Sequence, residues 1–174
     1  KPMCGYTSWY RHYEDISEEI IKNDLAGMLS LPQKIDIFQI DDGYETAVGD
    51  WLSIDEKKFP NGIKTVCDEI HNQNILAGLW LAPFVCETKS EIYKNHKDWL
   101  RKDENGNFVK CGSNWSGFYA LDLYNSEVIA YLEKVFDTVL NQWGFDMVKL
   151  DFLYAADRVP TKDKTRGQQM WEAM

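Results

Sequence analysis

The 174-residue sequence lacks the features that would assign it to several specialised classes of protein. No stretch approaches the roughly 18 to 20 consecutive apolar residues needed to span a bilayer, and the first residues do not resemble a secretory signal. The 19 basic residues form no run and are outnumbered by 28 acidic residues, which gives a net charge of −9. We therefore expect neither nucleic acid nor a membrane among the partners of this protein.

Cysteine is also scarce. The four cysteines lie far apart in the sequence, at Cys4, Cys67, Cys86 and Cys111. They include no CxxC pair, and no histidine stands at zinc-finger spacing from them, so neither a disulfide framework nor a structural zinc site is indicated. Reduced thiols are the simpler interpretation, and they predict a cytoplasmic location.

What the sequence does contain favours one compact globular domain. Hydrophobic residues make up 44% of the chain and charged residues 27%, which is enough for a sizeable core. Aromatic residues, which are included in that hydrophobic fraction, make up 14% of the chain, and several stand beside carboxylates and glycines. Sugar-binding clefts use this mixture, but ordinary hydrophobic cores contain it too.

The apolar residues alternate between strand-like and helix-like spacing along the chain. Apolar runs predict major strands at residues 3–10, 35–40, 75–84 and 147–154. Helical spacing follows the first three of them, at residues 16–29, 63–70 and 128–140. Residues 85–117 are polar, and we expect there an elaborated loop region with a short helix near 89–101, followed by a short strand at 118–123.

Several residues mark the ends of these predicted helices. Asp15 or Ser17 is expected to cap the first helix and Ser126 the third, while Gly144 matches the position just past a helix end. Residues 165–174 begin another helix, which stops without a C-cap signal.

The order of strands and helices predicts an α/β fold built from right-handed βαβ units around a parallel sheet. The sheet is either open and doubly wound or part of a barrel. No GxGxxG or P-loop pattern follows a strand, so the nucleotide-binding versions of the open sheet lose support. A (β/α)8 TIM barrel typically needs about 250 residues. If the sheet belongs to a barrel, residues 1–174 form roughly its first half and end within the helix after the fourth major strand.

Polar residues stand where the predicted strands end, and in a parallel barrel these ends converge on one mouth. Asp41 and Asp42 close the second strand, Trp80 lies near the end of the third, and Asp151 closes the fourth. The two-residue period of a strand places Lys149 on the same face as Asp151, with Val148, Leu150 and Phe152 opposite. A buried carboxylate beside an ammonium is held ionised, as a nucleophile near neutral pH must be.

Each of these residues also has a purely structural interpretation. Lys149 and Asp151 could form an ordinary ion pair, and Asp-Asp-Gly is common turn chemistry. Trp80 and Trp9 could belong to the core. The histidines His12, His71 and His96 lack the spacing of metal ligands, and we expect them at the surface or in local packing. Glu18 and Glu19 are expected on a solvated helix face.

Taken in order along the chain, the motifs resemble the catalytic barrel of glycoside hydrolase family 36. This family comprises α-galactosidases (melibiases), with raffinose and stachyose synthases as relatives. The motifs that carry the resemblance are YTSWY at 6–10, FQIDDGY at 38–44, GDW at 49–51, FPNG at 59–62, GLWLAPF at 78–84, ALDLYNSEV at 120–128 and KLDF at 149–152.

The resemblance implies a retaining mechanism, in which a carboxylate attacks the anomeric carbon of a terminal α-galactoside and a second carboxyl group protonates the leaving oxygen. It implies that Asp151 is the nucleophile and that Asp41 and Asp42 accept hydrogen bonds from galactose hydroxyls. It implies that Lys149 donates to a sugar hydroxyl and holds Asp151 charged. Aromatic residues would line the cleft: Trp80 and Trp9 as apolar faces for the sugar ring, and Trp51 at the rim.

Two departures from the family pattern matter. The family's acid/base residue follows a later strand, so this chain carries the nucleophile without its partner, and we expect the isolated chain to be inactive. Many members also carry an arginine shortly before the LDL segment that helps to bind substrate. In this sequence the resemblance implies that Trp115 occupies that part of the cleft and contacts the substrate instead, and the subgroup therefore stays open. The family implies no cofactor and no metal.

Three alternatives remain open beside a hydrolase of α-galactoside oligosaccharides. The protein could be a transglycosidase of the raffinose synthase kind or a non-catalytic sugar-binding half barrel. A metal-dependent hydrolase using Asp41, Asp42 and Asp151 has no HxH pattern to support it. Because a half barrel exposes unpaired strand edges, we expect a homo-oligomer or association with the missing half.

Overall fold

The computed structural model describes residues 2–159 and 163–174, and seven strands form two separate sheets in these residues. In chain order the strands are β1 (Gly5–Thr7), β2 (Ile37–Ile40), β3 (Leu76–Leu81), β4 (Val85–Glu87), β5 (Lys110–Gly112), β6 (Phe118–Ala120) and β7 (Met147–Leu150). One sheet has the order β1-β2-β3-β7 and the other the order β4-β6-β5. The strands β1, β2 and β3 pair in parallel, which confirms the predicted α/β fold with a parallel sheet.

Helices connect the strands. They are α1 (Trp9–His12), α2 (Glu18–Leu29), α3 (Ile63–His71), α4 (Glu91–Asn95), α5 (Ser126–Asp137) and α6 (Arg166–Ala173). Short turns of other helical types occur at Lys97–Trp99 and Leu153–Asp157, both 3-10, and at Thr138–Gln142, which is a π-helix. Within the described residues, no helix has the length and apolar character needed to cross a membrane.

The predicted helix ends are mostly confirmed. Ser17 caps α2, because its hydroxyl accepts the Ile20 N–H at 3.2 Å. Gly144 follows the last helical turn with a φ of +84°, as a residue past a helix end often has. The prediction for Ser126 is wrong by one residue, since Ser126 is already helical and Asn125 Oδ1 accepts the Glu127 N–H at 2.9 Å.

The strands are shorter than their apolar runs. The first run contains a strand of only three residues, after which the chain turns into α1. The last run ends its strand at Leu150, and Phe152 has a left-handed backbone with φ +53°. The expected alternation of side chains therefore does not extend to Phe152. Apolar character alone does not distinguish a strand from the turn that follows it.

The chain divides into two compact units. The first comprises residues 1–46, 52–81 and 135–149, and the second residues 47–51, 82–134 and 150–174. In the first unit α2 packs against α3, and α3 packs against β3. The fully buried side chains of this core include Ile21, Phe38, Ile40, Ile63 and Ile70.

One acidic residue of the first unit is placed otherwise than expected. Glu18 is buried rather than solvated, and it pairs with Lys22 at 2.7 Å and accepts the Asn61 side-chain amide at 3.0 Å. A buried carboxylate needs such partners. The expected solvated face therefore does not include Glu18.

The second unit contains the antiparallel sheet of β4, β6 and β5, with Val85 opposite Ala120 and Lys110 opposite Tyr119. The sequence interpretation treated most of this segment as an elaborated loop and missed β4 and β5. Strands of three residues are too short to produce a recognisable two-residue period. The predicted short helix is confirmed in part, as α4 and the 3-10 turn after it.

Candidate active site

The Asp41 carboxylate lies directly after β2 and is almost completely buried, with 2% of its surface exposed. Its Oδ2 atom accepts a hydrogen bond from the Lys149 ammonium at 2.8 Å, which joins the end of β2 to β7. The Lys149 side chain is 39% exposed, and an ammonium has three donors. Lys149 can therefore hold Asp41 and donate to a further acceptor at the same time.

Three further residues of the first unit hold Asp41 in place. Gln39 Nε2 donates to Asp41 Oδ2 at 2.9 Å, and the Thr7 hydroxyl donates to the same atom at 3.3 Å. The Asp41 N–H in turn donates to Ser8 Oγ at 2.9 Å. Sequence reasoning missed these residues, although a glutamine inside the apolar run at 35–40 is a usable signal, because buried polar side chains are normally hydrogen-bonded.

Asp42 forms a buried pair with Glu45, which sequence reasoning also missed. The two carboxyl groups lie close together in the interior, and the Gly43 N–H donates to Glu45 Oε2 at 3.3 Å. Burial raises the pKa of Glu45 well above its ordinary value, and the nearby charge of Asp42 raises it further. The surroundings of Glu45 therefore favour its protonated, neutral form over its ionised form.

Glycine is required in the turn that carries these carboxylates. Gly43 has a φ of +112°, and a side chain there would place its Cβ 2.3 Å from the carbonyl oxygen of Glu14. The turn interpretation of Asp-Asp-Gly is therefore correct for the backbone. The same turn directs two carboxylates into the interior, so the structural and functional interpretations do not compete.

The tryptophans of the first unit differ in exposure. Trp80 is buried, with 2% exposed, and its carbonyl oxygen accepts the Tyr44 hydroxyl at 3.2 Å. A sugar contact by Trp80 stays a prediction. Trp9 is half-buried in α1 and meets Tyr13 edge to face, with ring centroids 5.3 Å apart. A sugar contact by Trp9 stays a prediction.

Asp151 belongs to the second unit and follows β7 directly. It is half-buried, and its Oδ1 atom accepts the N–H of Phe152 at 2.8 Å. The Phe152 ring lies 5.2 Å from Trp115 and 5.1 Å from Phe118. Trp115 is half-buried. The roles assigned to Asp151 and Trp115 stay predictions, as does the effect of Lys149 on the charge of Asp151.

Trp51 also belongs to the second unit, and it is fully buried. The backbone N–H of Trp51 donates to the Tyr131 hydroxyl at 3.2 Å, and that hydroxyl donates to the Gly49 carbonyl oxygen at 2.6 Å. A contact between Trp51 and substrate at the rim of the cleft stays a prediction. The long loop is closed over Trp51 by a tyrosine that lies 80 residues further along the chain.

The histidines and cysteines form no metal site in the part of the chain that the structure describes, and no group of three or more His, Cys, Asp or Glu residues there could hold a metal ion. His12 contacts Asp24 at 2.6 Å, His71 contacts Asp146 at 2.7 Å, and the His96 ring stacks near Trp99. These are the local contacts that the sequence led us to expect.

Comparisons with known proteins agree with this architecture. Mel36A, an α-galactosidase of Lactobacillus acidophilus, is 29% identical over 171 residues, which cover 93% of this chain and 22% of that protein. An A type blood α-D-galactosamine galactosaminidase of Flavonifractor plautii is 31% identical over 141 residues, covering 75% of this chain and 13% of that protein. The chain thus spans about a fifth or less of the length of these curated relatives.

A solved structure is also similar. TtGalA, an α-galactosidase from Thermus thermophilus in complex with p-nitrophenyl α-D-galactopyranoside, superposes with a TM-score of 0.86 at 33% identity, covering 99% of this chain and 35% of that one. The same enzyme is known in complex with stachyose. The family model described as Melibiase matches residues 6–173. Because this match includes nearly every residue, the chain belongs to the Melibiase family.

Proposed function

We propose that the protein containing this chain is a retaining α-galactosidase that removes terminal α-D-galactose from oligosaccharides. The observation that carries the proposal is the buried Asp41 carboxylate paired with Lys149 at the end of the parallel sheet, in a chain of the Melibiase family. A structural relative binds p-nitrophenyl α-D-galactopyranoside and stachyose, which supports α-galactosides as the substrate class.

We assign the roles by chemistry and by position in the family motifs. Asp41 and Asp42 accept hydrogen bonds from galactose hydroxyls, and Lys149 donates one. Ionised groups make these bonds stronger than neutral ones would. Asp151 attacks the anomeric carbon and forms a covalent glycosyl intermediate. A second carboxyl group, contributed from outside this chain, stands about 5 to 5.5 Å from Asp151 and protonates the leaving oxygen.

We further propose that the parallel sheet is part of a (β/α)8 barrel. Its order β1-β2-β3-β7 places the parallel strands one after another in chain order, without the reversal that marks a doubly wound open sheet. In such a barrel the active site lies at the carboxyl ends of the strands, where Asp41 and Asp42 are found. The proposed site needs no cofactor, because both reacting groups are carboxyls.

One relative favours a second substrate. The Flavonifractor plautii protein is named a galactosaminidase, so hydrolysis of α-linked galactosamine is the second candidate function. A third candidate function is transfer of galactose from the same covalent intermediate to another sugar, as in raffinose synthase. The fourth is binding of sugar without catalysis.

The test is hydrolysis of p-nitrophenyl α-D-galactopyranoside by the full-length protein and its Asp151→Asn variant. We expect the variant to lose on the order of 10⁴-fold or more in kcat, as other enzymes do when a nucleophile is removed. Asp157→Asn is the matched control, because Asp157 lies in the next turn and pairs with Arg166 instead.

The outcomes separate the candidates. A wild-type protein that releases no p-nitrophenol contradicts the proposal, and so does an Asp151→Asn variant with the turnover of the wild type. A preference for the galactosaminide substrate selects the second candidate. Formation of a longer oligosaccharide from added acceptor sugar, in place of free galactose, selects transfer.

A further inference from the structure

The backbone leaves strand geometry immediately after Asp151. β7 ends at Leu150, and Phe152 adopts a left-handed conformation with φ +53° and ψ +30°. This conformation is unfavourable for any residue with a Cβ atom and uncommon for a bulky one. Something in the surrounding structure must therefore hold Phe152 in place.

An aromatic cluster formed by Trp115, Phe118 and Phe152 supplies these contacts. The Phe152 ring meets Phe118 edge to face at 5.1 Å and lies 5.2 Å from Trp115, which itself contacts Phe118 at 5.1 Å. Phe118 is only 1% exposed and belongs to β6, so it gives the cluster a fixed base. Trp115 also has a φ of +53°, so two unfavourable backbone conformations meet in one contact.

A second contact ties the same segment to the antiparallel sheet. Tyr154 lies in the 3-10 turn after Phe152, and its hydroxyl donates to the Cys111 carbonyl oxygen at 3.0 Å. Cys111 is the middle residue of β5. The turn that follows Asp151 is thus attached to β6 through ring packing and to β5 through a hydrogen bond.

The conformation of Phe152 matters because its N–H donates to Asp151 Oδ1 at 2.8 Å. The direction of this N–H depends on the backbone angles on either side of it, so a change at Phe152 turns the donor and the carboxylate together. We propose that the aromatic cluster positions the Asp151 carboxylate, and that this is the role of the antiparallel sheet. The inference rests on the proposed function, in which Asp151 is the nucleophile.

The experiment compares Phe152→Leu and Trp115→Leu with the wild type in the full-length protein. With p-nitrophenyl α-D-galactopyranoside, we expect kcat to fall about 10- to 100-fold while KM changes by less than about twofold, because a small misplacement slows the chemical step. Phe108→Leu is the matched control, since Phe108 lies near Lys102 in the same unit but outside the cluster. It is expected to keep the wild-type kcat.

Two further variants guard against loss of folding. Phe152→Tyr and Trp115→Phe keep an aromatic ring at each position and are expected to recover most of the kcat. The double variant of Phe152→Leu with Trp115→Leu is expected to lose little more than the worse single variant, because both changes break the same contact.

Three results overturn the inference. In the first, the cluster variants have the same kcat as Phe108→Leu. In the second, the variants contain a smaller fraction of active enzyme but each active site turns over at the wild-type rate, which indicates a purely structural role. Trp115→Leu could instead raise KM at constant kcat, which indicates a sugar contact. If the wild type is inactive or Asp151→Asn is active, the proposed function itself fails. An inactive Asp151→Asn beside fully active cluster variants refutes only the positioning.

Discussion

The environment of Asp41 depends on residues that are remote from it in the sequence. Thr7 is 34 positions away from Asp41 and Lys149 is 108 positions away, yet both contact the same carboxylate oxygen. Sequence reasoning found Asp41 and Lys149 because charged residues at the ends of apolar runs are unusual. It did not pair them, because local periodicity carries no information about which strand ends meet.

Glu45 illustrates a property that only burial creates. Nothing in the sequence distinguishes Glu45 from an ordinary acidic residue, yet the structure buries it beside Asp42 and raises its pKa. In the unfolded chain the same carboxyl group titrates near its ordinary value of 4.5. The difference between the two states makes the stability of the protein depend on pH.

The sign of this dependence can be tested with Glu45→Gln. The native state favours the protonated acid, so its contribution is fully present below pH 4.5 and is lost as the pH rises toward the raised native pKa. We therefore expect the free energy of unfolding of the variant, relative to that of the wild type, to increase as the pH rises above 4.5. Urea unfolding at several pH values measures this difference.

The control is Glu56→Gln, which changes an exposed glutamate in the same loop. Its difference from the wild type is expected to stay flat over the same pH range. A flat difference for Glu45→Gln as well would show that Glu45 is ionised in the native protein.

Among the helices and strands, long periodic segments were the easiest to predict. Ile63, Val66 and Ile70 recur at helical spacing, and all three face the core of the first unit in α3. The short strands β4 and β5 were the hardest, because each depends on hydrogen bonds to β6 and has too few residues to show a period, whereas β6 itself lies within the strand predicted at 118–123. The same limit explains why Phe152 was assigned to a strand.

The close packing of the antiparallel sheet leads to a prediction for Gly112→Ala. The added Cβ would stand 2.4 Å from the buried Phe118 ring, so that ring must move. Overpacking of this kind costs about 1 to 3 kcal/mol in the free energy of unfolding. We also expect reduced kcat, because Phe118 is the base of the aromatic cluster.

Gly27→Ala is the matched control for this change. Gly27 lies in α2 with open space around its would-be Cβ, so alanine is expected to stabilise the protein by roughly 0.5 to 1 kcal/mol. Urea unfolding measures both variants. Equal effects of the two substitutions would contradict the packing deduced for Gly112.

At the scale of the whole molecule, the two edge strands of the parallel sheet govern the association that we expect. In the described residues β1 and β7 form the two edges, and Met147 and Leu150 of β7 are each more than a third exposed. Exposed strand edges with apolar side chains readily pair with other chains. The matched segments make up 22% and 13% of the lengths of the two curated relatives described above.

We therefore expect the 174-residue chain, expressed by itself, to self-associate and to lack galactosidase activity. Size-exclusion chromatography with light scattering over a wide concentration range measures the association. A stable monomer with cooperative unfolding would show that the edges need no partner.

The sequence by itself determined the order of the major strands and helices, the family resemblance and the strand-end residues Asp41, Asp42, Lys149 and Asp151. These features rest on local periodicity and on motifs that are continuous in the chain. Only the tertiary structure decided which side chains surround Asp41, that burial raises the pKa of Glu45, and that Trp51 and Trp80 are buried. Such properties arise from contacts between distant segments and from the exclusion of water, which no local pattern records.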